Sequence, residues 1–327
     1  MTKIASLVIF IILFSNTGFP QNTNQGKLSA HPELDWEHLS NPIYQQSGWS
    51  VKDACLEYSN GYFYVVFSAF FYENGRERSH VVCVRTADLK SYSQPLFIWS
   101  GMEQGWTGMC SPNISKSDGK FYLTYNSWGD APGKPNQLFY AVSTDLEKWE
   151  STGKPLAPAL TAGKRSIDAA MIKYNGKWFV VWKEDQTPRI AWSDSLDADR
   201  WKLIGTPAQG RWFENAEFLR IDNKVNMLVT GSSHKPNLCQ LIGDPAIPES
   251  WLNWTEFQPL DVAQQSWNTE STSNSGFLAD FRNLDGYYYL LYAGCTEKIS
   301  HHGRGDNKLG LARSKDLQKW DSLPEMK

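Results

Sequence analysis

Five stretches of the chain repeat one pattern, and that repetition limits the fold more than any other feature of its 327 residues. Aligned on their turns, they read DACLEYSNGYFYVVF (53–67), SPNISKSDGKFYLTY (111–125), DAAMIKYNGKWFVVW (168–182), NAEFLRIDNKVNMLV (215–229) and LADFRNLDGYYYLLY (278–292). Pro or Ala stands second in each, and eight places after the first position comes Gly61, Gly119, Gly176, Asn223 or Gly286. Asn-Gly and Asp-Gly between apolar runs suit a type I′ turn, whose two central residues need positive φ, so each copy predicts a β-hairpin.

Most copies continue into a third strand and a further turn, as in VSTDLEKW (142–149) and ARSKDLQKW (312–320), with weaker versions at VRTADLKSY (84–92) and AWSDSLDADRW (191–201). That gives about four strands per copy. The expected fold is therefore all-β, a five-bladed β-propeller with four antiparallel strands per blade, filling residues 49–327 as one domain. A linear β-solenoid fits less well, because its rungs are shorter and lack tight hairpins. The 15 Trp, 14 Tyr and 16 Phe suit pleated, half-buried strands and surfaces that stack on sugar rings.

Lys3 precedes the apolar run IASLVIFIILF (4–14), which is too short to span a bilayer and is followed by a polar stretch. Residues 1–21 are expected to be a signal peptide directing the protein to a secreted or periplasmic location, with a retained N-terminal anchor as the alternative. Residues 22–48, rich in Asn, Gln, Ser and Pro, are expected to form an extended lead-in. A formal net charge of −3 without a basic stripe argues against nucleic acid, and against a membrane once the signal is removed. Five cysteines without a Cys-x-x-Cys pair propose no zinc site, and most are expected to be buried and free. No cofactor is called for. Oligomeric state is not readable.

If a carboxylate at the head of a repeat served only the backbone, every copy would carry one. Asp53 and Asp168 do, but Ser111 and Leu278 stand there in the second and fifth copies, and in the fourth Glu214 comes one place before Asn215. In a propeller the innermost strand of each blade lines the axis, so these positions converge at one mouth. Three carboxylates around one funnel are costly unless used, and glycoside hydrolysis needs an acid, a base and a group to tune the acid. Glu217 is the rival to Glu214.

These residues resemble the five-bladed propeller glycoside hydrolases of family 43, which are related to families 32, 62 and 117. Lys52-Asp53-Ala54 is similar to the family's Asp-Pro that carries the base, Ile167-Asp168-Ala169 to its pKa-tuning Asp after an apolar residue, and Glu214-Asn215-Ala216 to its acid-bearing Glu-Gly-Pro, with Ala for Pro in the first and last and Asn for Gly in the last. The resemblance implies an inverting hydrolase: Asp53 deprotonates water, Glu214 protonates the leaving oxygen, and Asp168 keeps Glu214 protonated. Retention, as in family 32, would use Asp53 as nucleophile. Many family members hold an axial ion through a His in the fifth blade, but 274–281 contains none, so no metal is expected.

Trp49, Trp106 and Trp212 precede blade openings and are candidates to stack on sugar at the funnel mouth, with Trp128 a weaker one. Ser111 and His234 are further substrate-binding candidates, whereas Trp149, Trp201 and Trp320 read as packing. Asn113-Ile-Ser and Asn253-Trp-Thr match the glycosylation sequon. The expected substrate is a plant or algal oligo- or polysaccharide carrying terminal or side-chain sugars, cleaved in an arabinofuranosidase- or xylosidase-like manner. One alternative is a propeller glycoside phosphorylase, for which Arg304, Lys308, His301 and His302 are the compact cations. A sugar-binding propeller without catalysis is the other.

Overall fold

A computed structural model describes residues 34–129, 134–196, 200–297 and 306–326. The apolar run 4–14, the signal expected over 1–21, and Arg304, His301 and His302 lie outside the described residues. Strands dominate, and among the described residues no helix is long and apolar enough to cross a membrane. The first eight strands are β1 (Ser50–Ser59), β2 (Tyr62–Glu73), β3 (Arg76–Thr86), β4 (Phe97–Trp99), β5 (Gly108–Ser117), β6 (Lys120–Trp128), β7 (Leu138–Ser143) and β8 (Trp149–Pro155). They form one sheet, divided by a single parallel pairing of Ser79 in β3 with Gly108 in β5 into two antiparallel sets of four. Three four-stranded antiparallel sheets follow: β9 (Ser166–Tyr174) to β12 (Lys202–Gly205), with β10 (Lys177–Glu184) and β11 (Thr187–Ser193) between; β13 (Phe213–Ile221) to β16 (Gln258–Pro259), with β14 (Lys224–Gly231) and β15 (Pro236–Gln240); and β17 (Ser271–Phe281) to β20 (Asp321–Ser322), with β18 (Tyr287–Cys295) and β19 (Lys308–Ser314).

The turn chemistry explains the hairpins. Asn60-Gly61, Asp118-Gly119, Asn175-Gly176 and Asp222-Asn223 all have positive φ at both positions, as a two-residue type I′ connection requires. The fifth hairpin differs. Its first strand ends at Phe281, paired with Tyr287, and the longer turn between them is closed by Asp285 and Gly286 N–H groups donating to Phe281 and Arg282 carbonyls.

That longer turn corrects the expected alignment of the fifth copy. Each innermost strand carries a β-bulge, in which two residues oppose one on the partner, at 53–54, 111–112, 168–169, 215–216 and 275–276. The head of the fifth copy is therefore Ser275, followed by Gly276, and not Leu278. Asp53, Ser111, Asp168, Asn215 and Ser275 all have left-handed φ, between 47° and 57°.

The strands bearing these bulges pack side by side in a ring: β1 on β5, β5 on β9, β9 on β13, β13 on β17, and β17 back on β1. The ring is clasped by the segment just before β1. Residues 34–48, expected as a lead-in, bury Trp36, Leu39 and Ile43, and the backbones of Ile43 and Tyr44 pair with Leu309 of β19. Asn41, fully buried, donates from Nδ2 to Tyr292 Oη and the Leu311 carbonyl, both at 3.1 Å, and accepts from the Leu311 N–H at 2.8 Å. All five cysteines are buried and free.

Unpaired buried polar groups cost about 1–3 kcal/mol each. Asn41→Leu, which strips the clasp of its bonds while keeping its bulk, is expected to destabilise the fold by about 2–4 kcal/mol in equilibrium denaturation. A loss below about 0.5 kcal/mol would mean the clasp does not hold the ring.

Candidate active site

The bulges aim their residues at the axis. An extra residue in the left-handed conformation swings the side chain off the ordinary alternation of a strand, so the heads of five separate strands face one another. Asp53, Ser111, Asp168, Asn215 and Ser275 all line a small hollow at the centre of the ring. Asn215 Nδ2 donates to Asp53 Oδ1 and the Ser275 hydroxyl to Asn215 Oδ1, both at 3.1 Å, tying three of them together.

Adjoining this hollow is an open cavity of about 400 Å³, within the range of small-ligand sites. Asp53, Asp168 and Glu214 line it together, from three different sheets. Asp53 and Asp168 are buried, while Glu214 is partly open to the cavity. Ser111 and His234 also line it, as do Trp128, Asn126, Arg165, Glu270 and Glu297.

Two lysines that sequence reasoning did not single out are interleaved with the acids. Lys52 Nζ lies 3.4 Å from Asp53 Oδ1. Lys183, from β10, is buried and donates to Glu214 Oε2 at 2.6 Å, with Asp168 Oδ2 at 3.5 Å. The available signal was a charged residue closing the otherwise buried strand KWFVVWKE, paired with Ile167 just before the Asp168 bulge.

These neighbours separate the acids. Burial, together with the carboxylates of Glu214 and Asp53, pushes Asp168 above the ordinary Asp range, against the pull of Lys183. Burial also disfavours the charge on Glu214, but Lys52, Lys183 and His234 outweigh it and hold that carboxyl below the usual Glu range. This arrangement differs from the expectation that Asp168 keeps Glu214 protonated: the lysines pair with Glu214, and Asp168 is the carboxyl driven towards its neutral form.

Not every candidate tryptophan reaches this cavity. Trp49 packs on Phe67 and Phe71 and lines a different hollow with Tyr44 and Tyr92. Trp106 is buried against Phe139, with Lys134 Nζ 3.9 Å above its ring, in a hollow with Trp99 and Tyr125. Both pack against other aromatic side chains away from the cavity, where burying a large ring is favourable. Trp212 stands beside the cavity, with Lys183 Nζ 5.2 Å from its ring centre, the His234 ring 6.2 Å away and its Nε1 donating to Gln186.

Glu217, the rival acid, is buried on a second hollow of about 770 Å³ lined by the opposite ends of the innermost strands, where its Oε2 accepts the Leu278 N–H at 2.7 Å. Glu57 lines that hollow too, and burial raises its carboxyl to about 7 despite Lys116. A carboxyl with a raised folded pKa contributes stability that is complete below the unfolded value and lost as pH rises through the folded one. Glu57→Gln should therefore match the parent near pH 4.5 and exceed its stability at pH 8 by about 2 kcal/mol, somewhat less than the full shift implies because Glu57 keeps some solvent contact. Denaturation midpoints at the two pH values check this, and equal differences at both would contradict it.

The sequence profile of Glycosyl hydrolases family 43 matches residues 39–219. No curated protein sequence matches the chain. Several solved structures share its fold: a glycosyl hydrolase from Bacteroides ovatus, 17% identical, with 90% of this chain and 98% of that one covered at a TM-score of 0.61; an α-L-arabinofuranosidase from Lactobacillus brevis, 12% identical, with 90% and 100% covered at 0.62; and a structure from the GH130 family of mannoside phosphorylases, which contains glycoside hydrolases that target β-1,2 mannosidic linkages in Candida mannan, 15% identical, with 90% and 97% covered at 0.62. These likenesses describe a propeller-type fold.

Proposed function

The chain belongs to the glycosyl hydrolases of family 43 and is a glycoside hydrolase, and from that membership we propose that it removes terminal or side-chain sugars from plant or algal polysaccharides in an arabinofuranosidase- or xylosidase-like reaction. In this reading the five sets of four strands are the five blades of a closed propeller, residues 1–21 direct export, and the cavity at the head of the ring is the catalytic centre. The observation that carries it is the meeting of Asp53, Asp168 and Glu214, from three sheets, in one cavity of about 400 Å³.

The roles follow from environment. Asp53, anchored by Asn215, serves as base for a water that attacks the anomeric carbon. Glu214, with its partly open carboxyl, serves as the acid that protonates the departing oxygen, and Asp168 raises its proton affinity once sugar fills the site. Ser111, His234 and Trp128, which line the cavity, are the proposed sugar contacts, with Trp212 at its edge.

A second reading is phosphorolysis. It is favoured by Lys52, Arg165, Lys183 and His234, which line the cavity. Turnover that needs added inorganic phosphate, with a sugar phosphate as product, would select it over hydrolysis.

Aryl pentosides and hexosides identify the sugar, and unactivated disaccharides then test the machinery. Asp53→Asn and Glu214→Gln should each lower kcat/KM on a disaccharide by a factor of about 10² to 10⁴. Proton NMR of the first-formed sugar should find the inverted anomer. Unchanged turnover in both variants would discard the assignment, whereas a parent without measurable hydrolysis whose variants lose sugar binding would favour a sugar-binding propeller.

A further inference from the structure

Lys183 stands at a place where two other strands hold the backbone of a neighbour. The residue paired just ahead of the bulge is Ser68 on β2, Asn126 on β6, Lys183 on β10, Thr230 on β14 and Ala293 on β18. Ser68 Oγ accepts the N–H of Ser111, the bulge residue of the next sheet, at 2.8 Å, and Asn126 Oδ1 accepts that of Asp168 at 2.9 Å. Thr230 and Ala293 make no such bond, so two of the joints use a side-chain acceptor at this place. Lys183 has none to offer and points its ammonium instead at the Glu214 carboxylate of the next sheet.

We propose, resting on the reading of Glu214 as the acid, that Lys183 is a positioning residue that keeps Glu214 ionised while the cavity is empty and yields its place at Oε2 to the glycosidic oxygen when substrate binds. Asp168 Oδ2, 3.5 Å from Nζ in the empty cavity, is the carboxylate that retains the ammonium after the exchange. Glu214, freed from its ion pair, takes one proton from solvent as the sugar closes over it and becomes competent to pass it to the leaving group. The charged groups around Glu214 are Lys52 and Asp53 from β1, Asp168 from β9, Lys183 from β10 and His234 from the turn after β14, with Arg165, Glu270 and Glu297 elsewhere on the cavity wall, so the loss of Lys183 removes the cation bonded to Glu214 and leaves the carboxylates in place.

Two measurements test this. In the free protein, ¹³C NMR of the carboxyls, with the Glu214 signal assigned by its disappearance in Glu214→Gln, should find Glu214 titrating below the usual Glu range and about 1 to 3 pH units higher in Lys183→Met. Lys183→Arg, which keeps the charge, should stay near the parent. An unmoved Glu214 in a folded Lys183→Met would overturn the proposal without touching the assignment of the acid.

The second measurement needs no variant. With xylobiose or α-1,5-arabinobiose as the unactivated probe, the alkaline limb of kcat/KM reports the free enzyme and that of kcat the complex. The kcat limb should lie about 1 to 3 pH units above the kcat/KM limb in the parent, and the two should converge in Lys183→Met. Coincident limbs in the parent would overturn the exchange of Lys183 for substrate. Turnover that survives in Glu214→Gln would instead mark a failure of the acid assignment itself.

Discussion

One backbone distortion, made five times, sets the geometry of the molecule. A residue that is not glycine costs on the order of 1–3 kcal/mol in a sparsely populated left-handed conformation, less for Asn and Asp. Asp53, Ser111, Asp168, Asn215 and Ser275 all adopt it at the same place in the repeat. The bulge turns the strand so that this side chain faces the axis, while the residue opposite it, Phe67, Tyr125, Trp182, Val229 or Tyr292, stays in the core. Repetition of this strain is what gathers residues more than a hundred positions apart into one hollow, and it leaves the identity of each axial residue free to vary with function.

That freedom is used unevenly. Asp53, Asp168 and Glu214 reach the cavity from three sheets, and they are interleaved with cations from β1 and β10. Without Lys52 and Lys183, Asp53, Asp168 and Glu214 would repel one another in a partly dry space and could not all ionise. With them the cluster keeps its charge but divides it, leaving Glu214 low and Asp168 high. Separated proton affinities among neighbouring acids are what acid–base chemistry at one site requires.

Much of this was legible in the sequence because turn chemistry is local. Asn-Gly, Asp-Gly and Asp222-Asn223 fixed four hairpins through their need for positive φ, and the acids at 53, 168 and 214 stood out because other copies lacked them. The fifth copy misled through its turn: the longer connection from Phe281 to Tyr287 moved the head of the repeat to Ser275, which no spacing rule anchored on Gly286 could find. Trp49 and Trp106 misled because nearness in sequence to a strand opening does not say which side of the chain an aromatic takes, and both packed on other aromatics away from the cavity. Lys183 was hidden for the opposite reason. Its partner, Glu214, lies in the next sheet, and only the ring brings them within a hydrogen bond.

The claim on which the account rests is that the ring makes Asp53, Asp168 and Glu214 a single sugar-cleaving centre. A crystal structure of Asp53→Asn soaked with an uncleaved pentose oligosaccharide tests it most directly. The account predicts a sugar ring in the cavity with its anomeric carbon between residue 53 and Glu214 and its glycosidic oxygen where Lys183 Nζ meets Oε2. A sugar found only elsewhere, in the hollow of Trp99 and Trp106 or at the opposite end of the innermost strands, would contradict it.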